Sequence, residues 1–325
     1  MTNGIVIGKF YPPHLGHKYL INFARENVDK LTVIICHKTG QVITGESRAT
    51  WIMEMVPGIE TKVVADIYPA DDSKAWAEYT LSILGYAPDV VFTSEDYGSK
   101  YCEYMGAKHV LVDIERNTVP ISASRIRVDP FSYWDYLDPP VRAYFARRVC
   151  VLGAESTGTT TMALALADHY QTTLVPEFGR AYYEAKIKSP YISKWETSEF
   201  IFIAQQQNLL EGQLARYANK LLVCDTDSFA TSLWHERYVG FLSREVDFVS
   251  HERHYDLYLL TDRDFPFVQD GTREGDNIRL QMHGRFIKEL EQRNKPFLLL
   301  SGTHEDRLKK AVEACDSIMR QPKSI

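Results

Sequence analysis

The chain has no positive charge to spare. Its 37 Lys and Arg stand against 43 Asp and Glu, a net of −6, and no block of like charge interrupts the balance. Nothing in it predicts nucleic-acid binding. Cysteine is scarce: the five residues Cys36, Cys102, Cys150, Cys224 and Cys315 are odd in number and form no CxxC pair, which excludes a small disulfide scaffold. Most lie in or beside apolar runs, as reduced core residues of a cytoplasmic protein would. No run nears the ~20 apolar residues of a membrane helix, and the first residues lack the basic segment of a signal peptide. Internal repeats and low-complexity stretches are missing too. The expectation is a cytoplasmic chain with no membrane and no nucleic-acid partner, with homo-oligomerisation left open.

What is present is an ordinary globular mixture. Of 325 residues 45% are hydrophobic and 25% charged, enough for about two domains. Short, nearly continuous apolar runs recur at 5–7, 31–36, 62–67, 89–93 and 108–113, and again at 149–152, 173–175, 221–224, 257–260 and 296–300. Unbroken apolar runs mark strands covered on both faces, as in parallel sheets. Helix-compatible segments lie between them, at 17–28, 73–84, 160–170 and 197–219. The pattern predicts an α/β chain with two parallel-sheet domains. Residues 129–148, with Pro130, Pro139, Pro140 and a terminal Arg147-Arg148, place the join near 147, giving domains 1–147 and 148–325.

The first chemical signal follows the first run. Gly8-Lys9-Phe10-Tyr11-Pro12-Pro13-His14-Leu15-Gly16-His17 sets a stiff Pro-Pro loop before a helix expected to open at His17. Gly16 would let the backbone approach a ligand closely. A helix N-terminus favours an anion, and ligands sit at the carboxyl ends of parallel strands. A surface turn that happens to hold two histidines is one alternative. A zinc site is another, although no third or fourth ligand lies nearby. A second signal, Ile121-Ser122-Ala123-Ser124-Arg125-Ile126-Arg127, offers hydroxyls and guanidiniums at a helix start. It reads either as a phosphate clamp or as an N-cap on a solvated helix, and Arg125 is left out of the clamp.

GKFYPPHLGH followed by ISASRIR resembles the nucleotidyltransferase superfamily. With the TSEDYG stretch and a P-loop-like second half, the whole chain resembles the bifunctional NadR-type family, which joins nicotinamide mononucleotide adenylyltransferase to ribosylnicotinamide kinase. That resemblance implies an HxGH nucleotidyltransferase domain of Rossmann-like fold followed by a P-loop kinase-like domain. Some members carry an N-terminal helix-turn-helix domain; this chain starts at the first strand, so no DNA-binding role is expected. The implied first reaction is attack of the mononucleotide phosphate on the α-phosphate of ATP, driven by positioning and charge stabilisation. The resemblance assigns His17 to the reacting phosphate, and His14 and Lys9 to the ATP phosphates. Ser124 and Arg127 fall on the pyrophosphate, and Gly8, Phe10, Gly16 and Ser122 complete the ATP site. The pyridine nucleotide is expected near Thr93, Glu95, Tyr97 and Trp76. Trp76 could stack on a pyridine ring, but it reads better as a core aromatic of its helix.

The second half opens on Gly153-Ala154-Glu155-Ser156-Thr157-Gly158-Thr159-Thr160. The P-loop pattern G-x-x-x-x-G-K-[ST] lacks only its lysine, replaced by Thr159. Gly153, Ser156, Thr157, Gly158, Thr159, Thr160 and Thr161 are expected to hold ATP. The run at 221–224 ends in Asp225-Thr226-Asp227. Asp225 there fits a carboxylate that, with Thr160, holds Mg²⁺, while Asp227 or Ser228 better fits a helix cap. Glu177 and Arg180 are candidates to meet nicotinamide riboside. In FPFVQDGTREGDNIR, residues 265–279, Asp270 is a candidate substrate contact, and Arg273 and Arg279 could close over phosphates. A charged surface loop is the alternative there. Without the lysine three readings stand: a kinase using another cation, a nucleotide-binding module without turnover, or a packing relic. A different phosphate substrate of the superfamily is the rival for the first half.

Overall fold

A computed structural model describes residues 1–95, 98–191, 194–264 and 276–320. The chain forms two compact units, one over Met1–Val141 and one from Arg142 onward.

The first unit winds β1 (Asn3–Gly8), α1 (Leu15–Glu26), β2 (Lys30–His37), α2 (Gly45–Met55), β3 (Glu60–Ala65), α3 (Ser73–Leu84), β4 (Val90–Thr93), α4 (Gly98–Met105), β5 (Lys108–Leu111) and α5 (Ala123–Val128). The sheet runs β3-β2-β1-β4-β5 with every pair parallel. After β3 the chain crosses to the far side of β1, so β1 and β4 flank the switch point where open α/β sheets bind ligands. The apolar runs behave as expected: Ile5, Val6, Val33 to Ile35, Val91 and Phe92 are buried. Helix α3 occupies the expected residues because Asp72 caps its start, accepting from Ala75 N at 3.0 Å, and Gly85 ends it in the left-handed region at φ 77°.

The second unit follows helix α6 (Pro139–Phe145). It comprises β6 (Arg147–Leu152), α7 (Thr159–Tyr170), β7 (Leu174–Val175), α8 (Phe178–Lys186), α9 (Thr197–Leu214), β8 (Leu221–Asp225), α10 (Ser228–Val239), α11 (Arg244–Ser250), β9 (Leu257–Thr261), α12 (Asp276–Gln292), β10 (Phe297–Leu300) and α13 (His304–Met319). Its parallel sheet runs β10-β9-β6-β8-β7. β8 and β9 are buried along their whole length. All five cysteines are buried and free. No helix among the described residues is long and apolar enough to cross a membrane.

One local expectation is corrected. Helix α1 begins at Leu15 rather than His17: His14 is its N-cap and His17 sits in its first turn. Gly16 packs against the His14 ring: a Cβ at that position would lie 3.0 and 3.1 Å from its Cε1 and Nδ1 atoms.

Arg48 on α2 locks the loops above the first sheet. Although fully buried, it donates to Thr44 O and Cys36 O, each at 3.1 Å, and to Gln41 Oε1 at 3.0 Å. It also bonds Lys9 O and lies 2.8 Å from His37 Nδ1. R48M would strip several buried acceptors of a donor, at about 1–3 kcal/mol each before relaxation. A loss of about 2–4 kcal/mol in unfolding free energy is expected, read from the shift of the denaturant midpoint of the first unit. A midpoint within experimental error of wild type would refute this role.

Candidate active sites

The first site is a cavity of about 670 Å³ at the carboxyl ends of β1 and β4. Its wall brings together Gly8, Lys9, Phe10, His14, Gly16 and His17 from the β1–α1 loop. Thr93 and Glu95 come from the end of β4, and Trp76 from α3. Ser122, Ser124 and Arg127 come from α5 and its cap. Tyr97 lies outside the described residues.

The two histidines are wired to each other. His14 Nδ1 accepts from Gly16 N at 3.1 Å and from His17 N at 3.4 Å, while His17 Nδ1 accepts from His14 N at 3.3 Å. The rings stack at 3.7 Å. With both Nδ1 atoms accepting, the proton of each neutral ring sits on Nε2. Burial, then the Arg116 guanidinium, pushes His14 down to about 3. Burial, His14 and Arg116 hold His17 well below the usual histidine range. At neutral pH the pair therefore presents two uncharged N–H donors at the start of α1, where the helix dipole adds positive potential.

Around this pair, charge is held by local bonds. Lys9 Nζ lies 3.1 Å from Asp66. Arg127 donates to Tyr11 O at 2.5 Å and to Ser124 Oγ at 3.2 Å. The Tyr11 ring is flanked by Arg48 and Arg127, at 5.3 and 5.4 Å. Ser122 is the N-cap of α5, accepting from Arg125 N at 3.4 Å, and Arg125 is exposed outside the cavity wall. Trp76 serves both readings: it packs in the core of the unit, 9% exposed, and lines the cavity. Thr93 Oγ1 donates to Glu95 O at 3.0 Å and lies 2.8 Å from His109 Nε2.

The second site is smaller, about 170 Å³, beside the 153–160 loop. Gly158, at φ 84°, turns the loop into α7 in a conformation that favours glycine. Thr157 Oγ1 ties the loop internally, donating to Ala154 O at 2.7 Å. Thr159, Thr160 and Thr161 form the first turn of α7, with Thr161 exposed. Thr160 Oγ1 donates to Asp225 Oδ2 at 2.7 Å, and burial pushes the Asp225 carboxyl up. A hydroxyl and a carboxylate so placed fit a P-loop magnesium site.

Ser156, Glu177 and Arg180 line the cavity, with Arg180 Nε 3.3 Å from Glu177 Oε2. Burial first, opposed by Arg180 and aided by Asp225, pushes the Glu177 carboxyl up. Arg279 is not on a loop. It belongs to the inward face of α12, 3% exposed and paired with Asp276 at 3.5 Å, because that face also buries Met282, His283 and Phe286. Asp270 and Arg273 lie outside the described residues.

Asp227 caps α10, accepting from Ala230 N at 2.8 Å, and takes the Tyr258 hydroxyl at 2.9 Å. Burial pushes it up to about 6, above its ordinary 3.8. A carboxyl raised on folding adds most stability when protonated, and that contribution falls as pH rises through about 6. D227N keeps the cap. It is expected to flatten the stability slope and to gain about 1–3 kcal/mol near pH 7.5. Denaturant titrations at about pH 5 and pH 7.5 check this, and an unchanged slope would count against it.

Over 98% of its length the chain is 30% identical to the "Trifunctional NAD biosynthesis/regulator protein NadR" of Escherichia coli (strain K12), covering 83% of that protein. The chain belongs to the NadR family. A second NadR, from Salmonella typhimurium (strain LT2), is 29% identical over 97% of this chain and 83% of its own length. The NadR fold is also seen in crystal structures of a NadR protein in complex with NR, at a TM-score of 0.79, and in complex with NAD and AMP-PNP, at 0.76. Both are 18% identical and cover 98% of this chain and 96% of the other. An AAA-domain family model matches residues 148–307.

Several residues that line these two cavities carry no motif. Arg116 and Asp66 line the first cavity, and Arg116 ion-pairs with Glu95 at 3.8 Å. The second cavity is walled by Tyr183, Trp195, Phe200, Trp234 and Tyr238. Tyr183 stacks near Trp195 at 6.2 Å and Trp234 near Tyr238 at 6.1 Å. They come from α8, α10 and the segment before and into α9, so only folding gathers them.

Proposed function

We propose that the chain makes NAD in two steps, one per unit. The second unit phosphorylates the 5′-hydroxyl of nicotinamide riboside from ATP. The first transfers AMP from ATP to the resulting mononucleotide, releasing pyrophosphate. The observation that carries the reading is the stacked His14–His17 pair, both neutral and both carrying their proton on Nε2, in a cavity that also holds Arg127 and Lys9. Adenylyl transfer needs no strong base, because the attacking phosphate is already an anion. It needs donors that do not reorganise while charge develops at the α-phosphate. His17 supplies one at the reacting phosphate, and His14, Arg127 and Lys9 hold the leaving phosphates.

In the second unit Thr160 and Asp225 would hold Mg²⁺, which when bound neutralises charge on the ATP phosphates. Glu177, its carboxyl pushed up by burial, accepts the riboside hydroxyl proton. The aromatic walls suit a flat pyridinium ring, apolar on its faces and positive in charge. Thr159 at the lysine position supports a second reading, a unit that binds nucleotide without turnover.

A chromatographic product assay with Mg-ATP separates the readings. The full chain is expected to give NAD from the mononucleotide, and the mononucleotide or NAD from the riboside. No NAD from the mononucleotide would redirect the first unit to another phosphate substrate. An unreacted riboside would make the second unit a binding module. Domains at 1–147 and 148–325 are part of the proposal: residues 1–147 alone are expected to retain NAD formation, and an inactive or insoluble fragment would place the boundary elsewhere.

A further inference from the structure

The 153–160 loop lacks its lysine, yet a cation reaches it from behind. Arg307, on α13, is 1% exposed. Its Nη1 donates to Thr157 O at 2.9 Å. Nη2 donates to Asp262 O at 3.0 Å and bonds the Asp264 carboxylate, and Nε donates to Gly302 O at 3.1 Å. The guanidinium thus rests on the carbonyl of the Thr157–Gly158 peptide. A peptide is planar, and in the trans form its N–H points opposite its C=O. The Gly158 N–H therefore points away from Arg307, at the start of α7, among the backbone amides that cradle phosphate in a P-loop. A cation on a carbonyl draws electron density through the conjugated unit and strengthens the N–H as a donor, as charge does along any hydrogen-bonded chain. Little solvent screens the effect, because the guanidinium is buried.

We propose that Arg307 is a positioning residue of the phosphate site, acting through the Thr157–Gly158 peptide to supply from the back of the loop part of the positive potential that its missing lysine does not. The proposal rests on the nucleotide-binding reading of the second unit. Two features set it apart from a packing role. The guanidinium contacts the loop at the peptide that carries the N–H of Gly158, the cap residue of α7, and it does so with charge as well as shape. Thr157 is pinned independently by its hydroxyl, which lies 2.7 Å from Thr261 Oγ1, so the loop does not depend on Arg307 alone for its position.

The test measures ADP affinity by calorimetry and riboside phosphorylation on the full chain, for wild type, R307K, R307M, T159K and the two double variants. The thermal unfolding transition of each variant, followed by circular dichroism on the full chain, monitors folding of the second unit. R307M is expected to weaken ADP at least tenfold and R307K by about threefold or less. The R307M loss is expected to shrink by several-fold in the T159K background, because the introduced ammonium then supplies the potential directly; a purely structural role predicts the same loss in both backgrounds. An unchanged ADP affinity in R307M, equal losses in R307K and R307M, or equal losses in the two T159 backgrounds would each overturn the proposal. Should R307M not fold, the comparison of R307K with R307K/T159K decides in the same way. Failure of the kinase reading shows separately, as wild type that binds ADP and leaves the riboside unreacted.

Discussion

Replacing His17 with alanine is expected to lower NAD formation from nicotinamide mononucleotide by about 10²–10³-fold, the cost of one preorganised donor to a developing oxyanion. The fold is expected to survive, because the losses in the first turn of α1 are a weak cap contact, His17 Nδ1 accepting from His14 N at 3.3 Å, worth about 1 kcal/mol, and the ring's packing on His14 and Phe10. Any riboside phosphorylation is expected to be unaffected, since His17 belongs to the first unit. The pH profile adds a second readout. His17 is held well below 6.5 by burial first and then by His14 and Arg116, so its ring is neutral across the working range. The wild-type rate should show no histidine step as pH rises from about 5.5 to 8. A donor acting as imidazolium would lose activity over that interval. An unchanged rate in H17A would sink the active-site assignment, and a falling limb centred near 6.5 would sink the neutral-donor account.

The second large effect runs the other way. T159K restores the lysine of the P-loop pattern, and riboside phosphorylation is expected to rise by about 10²-fold, mostly in kcat. The reason is that phosphoryl transfer is catalysed almost entirely by positioning and charge stabilisation. The position is suitable: residue 159 opens α7, next to Thr160, whose hydroxyl is 2.7 Å from Asp225. A new ammonium there would meet Asp225 and Glu177, two carboxyls whose burial now pushes both up. Both should become easier to ionise, which moves the acid limb of the rate profile to lower pH. No gain in rate with ADP still bound would favour the binding-module reading of the second unit. Loss of ADP binding would show that the loop is built around threonine.

The sequence by itself determined the architecture and where the two candidate phosphate-binding loops lie. All ten apolar runs became strands of two parallel sheets, because a strand covered on both faces must be apolar at nearly every position. The GKFYPPHLGH and GAESTGTT segments were legible because each packs its chemistry into about ten consecutive residues at a strand's end. Even the rival readings were sound where they were local: Asp227 caps α10, Ser122 caps α5, and Trp76 is a core aromatic that also faces the cavity. Tertiary structure alone decided what depends on distant partners. Whether His14 and His17 are charged or neutral follows from burial and from Arg116, a hundred residues away in sequence and without a motif. The aromatic wall of the second cavity gathers side chains between Tyr183 and Tyr238 that share no spacing. Arg307 finds Thr157 across 150 residues. Local pattern is set by backbone periodicity and helix ends, which act over a few residues. Protonation, enclosure and long-range charge are set by the surroundings in space, which only the folded chain supplies.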